Sequence, residues 1–318
     1  MTIGVGFIGY GGIAGWHKTA LDNCQDLGKI VGGADINAEQ QKKFQEETKS
    51  PTFVDYREML DKTKPQAVVV CTPPSVRLDI VNECLDRGIA MLFEKPLAHT
   101  VESAQQIVEK VNKSDIVCAT GFCHRFNPGI NRIKELFTDG TLGEPIEFIN
   151  YFVFSSPQSR ESWRTDINIS GGGCLIDNGN HSVDIFRYLF GSIRNVSGAT
   201  RHIWPGRGDD TGFMLLASES NVIGQITVSF TYPYRVATIE VVGSKGAAKY
   251  DYTNIEELKI CTEQDNWQVE KLPPCTRFTG QMKAFLNAIA QGSDSQLASV
   301  EDGLIAVEVI NKVYKNGL

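Results

Sequence analysis

The sequence is short of several features that would narrow its role at once. No apolar run approaches the roughly 18 residues that a membrane-spanning helix requires, so no membrane partner is expected. Lysine and arginine are nowhere clustered, and a net charge of -7 argues against nucleic acid as the main partner. None of the 8 cysteines lies in a C-x-x-C pair and no His/Cys group has zinc-ligand spacing, so no metal site is expected. Cys71 and Cys118 instead fall in apolar, strand-like runs, where a reduced thiol behaves as a small hydrophobe. No basic, signal-like segment precedes the first strand-like run, and a reducing cytoplasm is the expected compartment. Repeats and low-complexity tracts are also missing.

What is present is an ordinary globular composition, 42% hydrophobic and 22% charged. The 318 residues exceed what one core usually organises, which predicts two domains, placed at 1–122 and 123–318. The first opens with the apolar run 3–8, which stops at Gly9-Tyr10-Gly11-Gly12-Ile13-Ala14. This is G-x-G-x-x-A between a strand and a helix. Gly9 permits the tight turn, Gly11 lets backbone approach a pyrophosphate, and Ala14 keeps helix and strand close. The pyrophosphate would rest on the free N–H groups that begin the helix, with Gly12 and Ile13 beside it. A second apolar run, 29–36, contains Asp35 near its end, placed to hydrogen-bond ribose hydroxyls and to repel a 2′-phosphate. NAD is therefore expected over NADP.

The βα alternation continues. Helices are predicted at 38–49, 56–62, 76–87 and 100–112, with strands at 53–54, 67–71, 90–93 and 116–121. Ala67–Cys71 is apolar throughout, as in a parallel strand covered on both faces. It runs into Thr72-Pro73-Pro74, at the strand edge where open α/β sheets bind ligands. The pattern predicts a six-stranded, doubly wound parallel sheet.

From Arg125 the character changes. After a helix at 127–138 and a strand at 146–154, a helix at 174–190 precedes seven strand-like segments between 193 and 271. Helices at 277–291 and 300–315 end the chain. Sequential strands of this kind predict a large, mostly antiparallel sheet with helices on one face, an α+β domain. On the 174–190 helix Asp177, His181 and Asp184 share one face. From spacing alone the first two could be a catalytic pair or a polar pair on a helix surface.

These features together resemble the glucose–fructose oxidoreductase, inositol dehydrogenase and rhizopine-catabolism family, GFO/IDH/MocA. The resemblance is carried by the glycine turn, Asp35, Thr72-Pro73, Glu94-Lys95-Pro96, Arg125-Phe126, Gly171-Gly172-Gly173, and Asp177 with Gly179, His181 and Asp184. It implies a Rossmann domain followed by an α+β substrate and oligomerisation domain, with the active site between them. It also implies an NAD(P)-dependent dehydrogenase acting on CH–OH groups of a sugar, polyol or cyclitol, or reducing the matching ketone. Lys95 would be the catalytic lysine, its bond to Pro96 commonly cis, with Glu94, Thr72 and Pro73 at the cofactor. His181 would be the general base, since a neutral imidazole can take the hydroxyl proton, and Lys95 and Asp177 would bind the reacting hydroxyl. Arg125, Trp163 and Arg164 are candidates for the substrate pocket wall.

Two departures from the family pattern stand out. Arg77 occupies a position often held by histidine, and Cys123 one often held by asparagine near the nicotinamide. Two other functions are compatible with the resemblance: an NAD-retaining, glycosidase-like enzyme, and a non-catalytic sugar-sensing regulator. Association into a homodimer or homotetramer is expected through the second sheet, where Ile149 to Phe154 is apolar and aromatic.

Overall fold

A computed structural model describes residues 2–292, 294 and 296–316. The N-terminal elements alternate: β1 (Ile3–Ile8), α1 (Gly12–Asp22), β2 (Gly28–Ala34), α2 (Ala38–Thr48), β3 (Thr52–Phe53) and α3 (Tyr56–Thr63). They continue with β4 (Ala67–Val70), α4 (Arg77–Asp86), β5 (Ala90–Phe93), α5 (Val101–Val111) and β6 (Cys118–Thr120). Next come α6 (Pro128–Thr138), β7 (Pro145–Ser155), the short α7 (Ile167–Ser170) and α8 (Cys174–Phe190). The remaining strands are β8 (Ile193–Arg201), β9 (Thr211–Ser218), β10 (Ile223–Ser229), β11 (Thr231–Gly243), β12 (Gly246–Asp251), β13 (Glu257–Glu263) and β14 (Asn266–Lys271). Two helices follow, α9 (Arg277–Gln291) and α10 (Val300–Asn316). Among the described residues no helix is long and apolar enough to cross a membrane.

The chain forms two compact units, and neither is continuous in sequence. The first takes Met1–Cys123 and Arg277–Leu304; the second takes His124–Thr276 and Ile305–Leu318. The domain division read from the sequence has no such return of the chain.

In the first unit a six-stranded sheet runs β3-β2-β1-β4-β5-β6, with all pairs parallel. Consecutive strand residues point to opposite faces, so each face builds its own core. Ile3, Val5 and Phe7 pack with Ala14 and Leu21 of α1, whereas Ile8, Val68, Val70 and Phe93 pack with Ile80, Val81 and Ile107. The first of these cores is completed by α9. Phe278, Met282 and Phe285 enter it, and Phe278 stacks on Trp16 with ring centroids 5.7 Å apart. The order of the strands reverses between β1 and β4, and ligands of doubly wound sheets bind at that switch point.

The second unit is built on an eight-stranded sheet ordered β14-β13-β12-β11-β7-β10-β9-β8. Its pairs are antiparallel except β7 with β10. Inward residues such as Phe148, Met214, Ile226 and Ile239 are buried, and α8 packs against β7, β9 and β10. At 13 residues, β11 is long and irregular. The ladder with β7 breaks between Thr231 and Val236, a stretch that holds Pro233, which cannot donate to a ladder. Short helical turns occupy residues 157–170, between β7 and α8.

Candidate functional site

The glycine turn after β1 has the properties that its spacing predicts. Gly9 has φ of +83°, and a Cβ there would sit 3.0 Å from the backbone of Cys71 and Thr72, so the position demands glycine twice over. At Gly11 and Gly12 a Cβ would meet nothing within 4 Å. The space over the start of α1 is open, and Gly11 offers no side chain to cap the helix. The first N–H groups of α1 are thus available to an anion, at the positive end of the helix dipole. Ile13 is half-buried against the first core.

Asp35 ties this turn to the end of β2. Its Oδ2 accepts the Tyr10 N–H at 2.7 Å and its Oδ1 accepts the Asn37 N–H at 2.8 Å. The carboxylate is half-exposed and retains lone pairs for two ribose hydroxyls. Thr72, following β4, has a buried Oγ1 with no hydrogen-bond partner, an acceptor and donor waiting for a ligand group. Pro73 beside it is half-buried. Open glycine backbone, an uncapped helix start, an acidic strand end and an orphaned hydroxyl suit a bound dinucleotide.

The Glu94-Lys95-Pro96 loop follows β5, and the Lys95–Pro96 bond is cis. Glu94 is buried, and its Oε1 lies 2.7 Å from Nε2 of His17 on α1. Its other oxygen accepts the Lys95 N–H at 3.2 Å. Its carboxylate is therefore engaged inside the unit. Arg77, at the start of α4, is also buried. Its guanidinium donates to the carbonyls of Glu94, Pro96 and Thr72.

In the second unit, α8 presents Asp177 and His181 half-buried, one turn apart. His181 meets His124 edge-to-face with ring centroids 4.5 Å apart, and His124 is packed in turn on Tyr252 at 5.0 Å. Asp177 lies 3.8 Å from Nε of Arg164, whose guanidinium covers the Trp163 ring at 4.8 Å. Arg164 and Asp177 border a cleft of about 260 Å³ with aromatic walls, Phe154 and Phe230, and serine hydroxyls at 156 and 162. Asp184 is elsewhere engaged. It is buried and takes a bidentate ion pair from Arg125, with Nη2 to Oδ1 at 2.5 Å. Arg125 is buried too, so its guanidinium anchors α8.

Asp209, which no pattern in the sequence singles out, holds the start of α8. It is fully buried and accepts the N–H groups of Gly173 and Leu175 at 2.8 and 2.7 Å and the Tyr314 hydroxyl at 2.6 Å. Burial pushes its carboxyl above the usual range, although these donors oppose the shift. Two of the three glycines before α8 serve this contact. A Cβ on Gly173 would fall 1.8 Å from the Asp209 carbonyl oxygen, and one on Gly172 2.3 Å from the Tyr314 hydroxyl. Among the described residues no group of three or more His, Cys, Asp or Glu could hold a metal ion.

Residues 3–122 match the oxidoreductase family with an NAD-binding Rossmann fold, and residues 130–249 match the GFO/IDH/MocA C-terminal domain. The scyllo-inositol 2-dehydrogenase (NAD(+)) of Bacillus subtilis is 30% identical over 200 residues, which are 61% of this chain and 57% of that protein. Inositol 2-dehydrogenase 2 of Paenarthrobacter aurescens is 26% identical over 341 residues, covering 100% of this chain and 98% of its own. Among solved structures, levoglucosan dehydrogenase in complex with NADH and levoglucosan superposes with a TM-score of 0.91. It covers 99% of this chain and 97% of that one at 21% identity, a likeness of fold. Matched in chain order across both sheets, this chain belongs to the GFO/IDH/MocA family of NAD-dependent oxidoreductases.

Proposed function

We propose that the protein oxidises a secondary hydroxyl of a cyclitol, sugar or other polyol, or reduces the corresponding ketone, with NAD as the hydride partner. The observation that carries this reading is the pairing of Asp177 and His181 on one face of α8, with Asp177 bordering a cleft that joins aromatic walls to hydroxyl groups. Such a lining suits a ring with apolar faces and hydroxylated edges. The relatives named for inositol support the same substrate class.

In the oxidative direction bound NAD would supply the acceptor for the hydride of the carbinol carbon. His181 takes the hydroxyl proton. Its Nδ1 is buried, so Nε2 is the nitrogen assigned to that transfer. Lys95 stabilises the oxygen as negative charge develops there, and Asp177 orients the hydroxyl and the imidazole. The cofactor would be held by the α1 start at Gly11, Gly12 and Ile13, by Asp35, and by Thr72 and Pro73. Glu94 supports the Lys95 loop from within. Trp163 and Arg164 line the substrate side.

A panel of myo-inositol, scyllo-inositol, levoglucosan and glucose 6-phosphate, followed by NADH fluorescence, tests the reading. Net NADH formation with at least one of these is expected. His181→Ala should lower that turnover by on the order of 10²–10⁴ with NADH affinity nearly unchanged. Substrate conversion without net NADH, or ligand binding without conversion, would overturn it.

We also propose that copies associate through the uncovered face of the eight-stranded sheet. Tyr151, Phe213, Leu215 and Ile223 are exposed there on three adjacent strands. Light scattering that finds a monomer at micromolar concentration would remove this proposal.

A further inference from the structure

Arg77 combines three properties that a surface helix residue does not have. It is 1% exposed, it is a cation, and its donors go to main-chain carbonyls of two different loops. Nη1 donates to the carbonyls of Glu94 and Pro96, one on each side of Lys95. Nη2 donates to the carbonyl of Thr72 at 2.8 Å. A guanidinium is rigid and planar, with five N–H donors in a fixed fork. Once seated on three carbonyls it fixes their relative positions. A lysine in the same place offers rotatable donors, and an imidazole cannot aim two N–H groups at one side.

The cost of burying this cation shows that the arrangement is specific. Burial drives the Arg77 guanidinium down to about 10, against the opposing charge of Glu94. Its Nε is buried with no partner, so hydrogen-bonding capacity has been given up at one end. The site is therefore organised around the carbonyls flanking Lys95.

We propose that Arg77 is a positioning residue for Lys95: it clamps the backbone on both sides of the lysine and ties it to the Thr72 loop, so that the ε-amine is presented in one place. The proposal rests on the reading of Lys95 as the catalytic lysine. A displacement of about 1 Å in a catalytic group can cost on the order of 10²-fold in rate, which is why such a clamp is worth an awkward buried charge.

Arg77→Met and Arg77→Lys in the full chain test this directly. Hydrogen exchange is read over residues 94–98. Acetylation of Lys95 by trace acetic anhydride is referenced to the exposed Lys42 and Lys259 of the same digest. For Arg77→Met, exchange in the loop should rise about tenfold as local opening becomes easier. Lys95 labelling should rise about threefold against the references, and kcat in the polyol panel should fall by about 10–100-fold with the NADH Kd within about twofold. Arg77→Lys should recover part of each change. Val81→Ala, a core substitution on the same helix, should move melting temperature without moving Lys95 labelling.

Unchanged exchange and labelling in a folded Arg77→Met protein overturn the proposal. If that variant does not fold, Arg77→His replaces it, with the same shifts expected and unchanged values again decisive. Lys95→Ala separates the two levels. Retained turnover there removes the catalytic reading of Lys95, whereas the exchange data for Arg77→Met judge the clamp independently.

Discussion

His17 Nε2 lies 2.7 Å from Glu94 Oε1, both side chains buried, so the helix that opens on the glycine turn is joined through its interior to the loop that carries Lys95. Burial alone would raise the Glu94 carboxyl. The His17 hydrogen bond and charge, with Lys95 and Arg77 adding, hold it below its ordinary 4.5. A carboxylate depressed in the fold contributes stability above its unfolded pKa, and that contribution is lost as pH falls through the folded value. Glu94→Gln should therefore destabilise the protein at neutral pH by on the order of 1–3 kcal/mol. The gap from the wild type should close as pH drops below 4.5, measured by urea unfolding across pH. A gap independent of pH would mean that the charge on Glu94 adds nothing.

Asp35 should decide between the two nicotinamide cofactors. Its carboxylate already accepts two backbone N–H groups, so Asp35→Asn both weakens the ribose contact and loosens the Tyr10 turn. The Kd for NADH in a fluorescence titration should rise about tenfold or more, the value of one charge-assisted hydrogen bond. The Kd for NADPH should change less, because repulsion of the 2′-phosphate is relieved at the same time. Equal losses for both cofactors would show that Asp35 acts only on the turn.

The start of α8 should depend on a residue 34 positions after Leu175 and 36 after Gly173. Asp209→Ala leaves the N–H groups of Gly173 and Leu175 and the Tyr314 hydroxyl without their acceptor. A loss of about 1–3 kcal/mol in unfolding free energy is expected. Turnover should fall as well, since Asp177 and His181 lie on the turns that follow. Tyr314→Phe should cost less, because the two backbone donors keep Asp209. Equal stability in both variants would reduce the Asp209 contact to the tyrosine alone.

Phe285→Ala examines the return of α9 to the first unit. The side chain is fully buried in the core that also holds Val5, Phe7 and Leu21. Deleting a buried aromatic ring costs about 3–5 kcal/mol where the surroundings cannot collapse. The loss should appear as a lower urea midpoint with little change in m-value. A near-zero cost would place α9 outside that core.

Much of the architecture could be read directly. Within the apolar run 67–71, Ala67–Val70 forms the wholly buried β4, because a parallel strand lies between two helical layers and such a position tolerates no polar alternation. Gly9 announces itself because a positive φ and a closely packed neighbouring backbone together favour glycine. The face shared by Asp177 and His181 follows from helical geometry alone.

Arg125 and Asp184 show where reading stopped. Each looks like a group for ligand or solvent, yet they neutralise one another in the interior across 59 positions of chain. Arg77 looked like a departure from a family pattern and is a buried clamp. Asp209 carried no signal, since aspartates in a turn before a strand, here Asp209 with Asp210, are commonplace.

The difference has a physical reason. Strand order, glycine turns and helix faces are set by local backbone sterics and by the period of apolar residues, and both are written along the chain. Hence the sequence alone determined a dinucleotide-binding sheet followed by a mostly antiparallel one, and the candidate residues on each. Whether a charged side chain reaches water or a buried partner depends on what the fold packs around it. Only the tertiary structure decided that α9 completes the first core, that Asp209 caps α8, and that Arg77 grips the carbonyls on either side of Lys95.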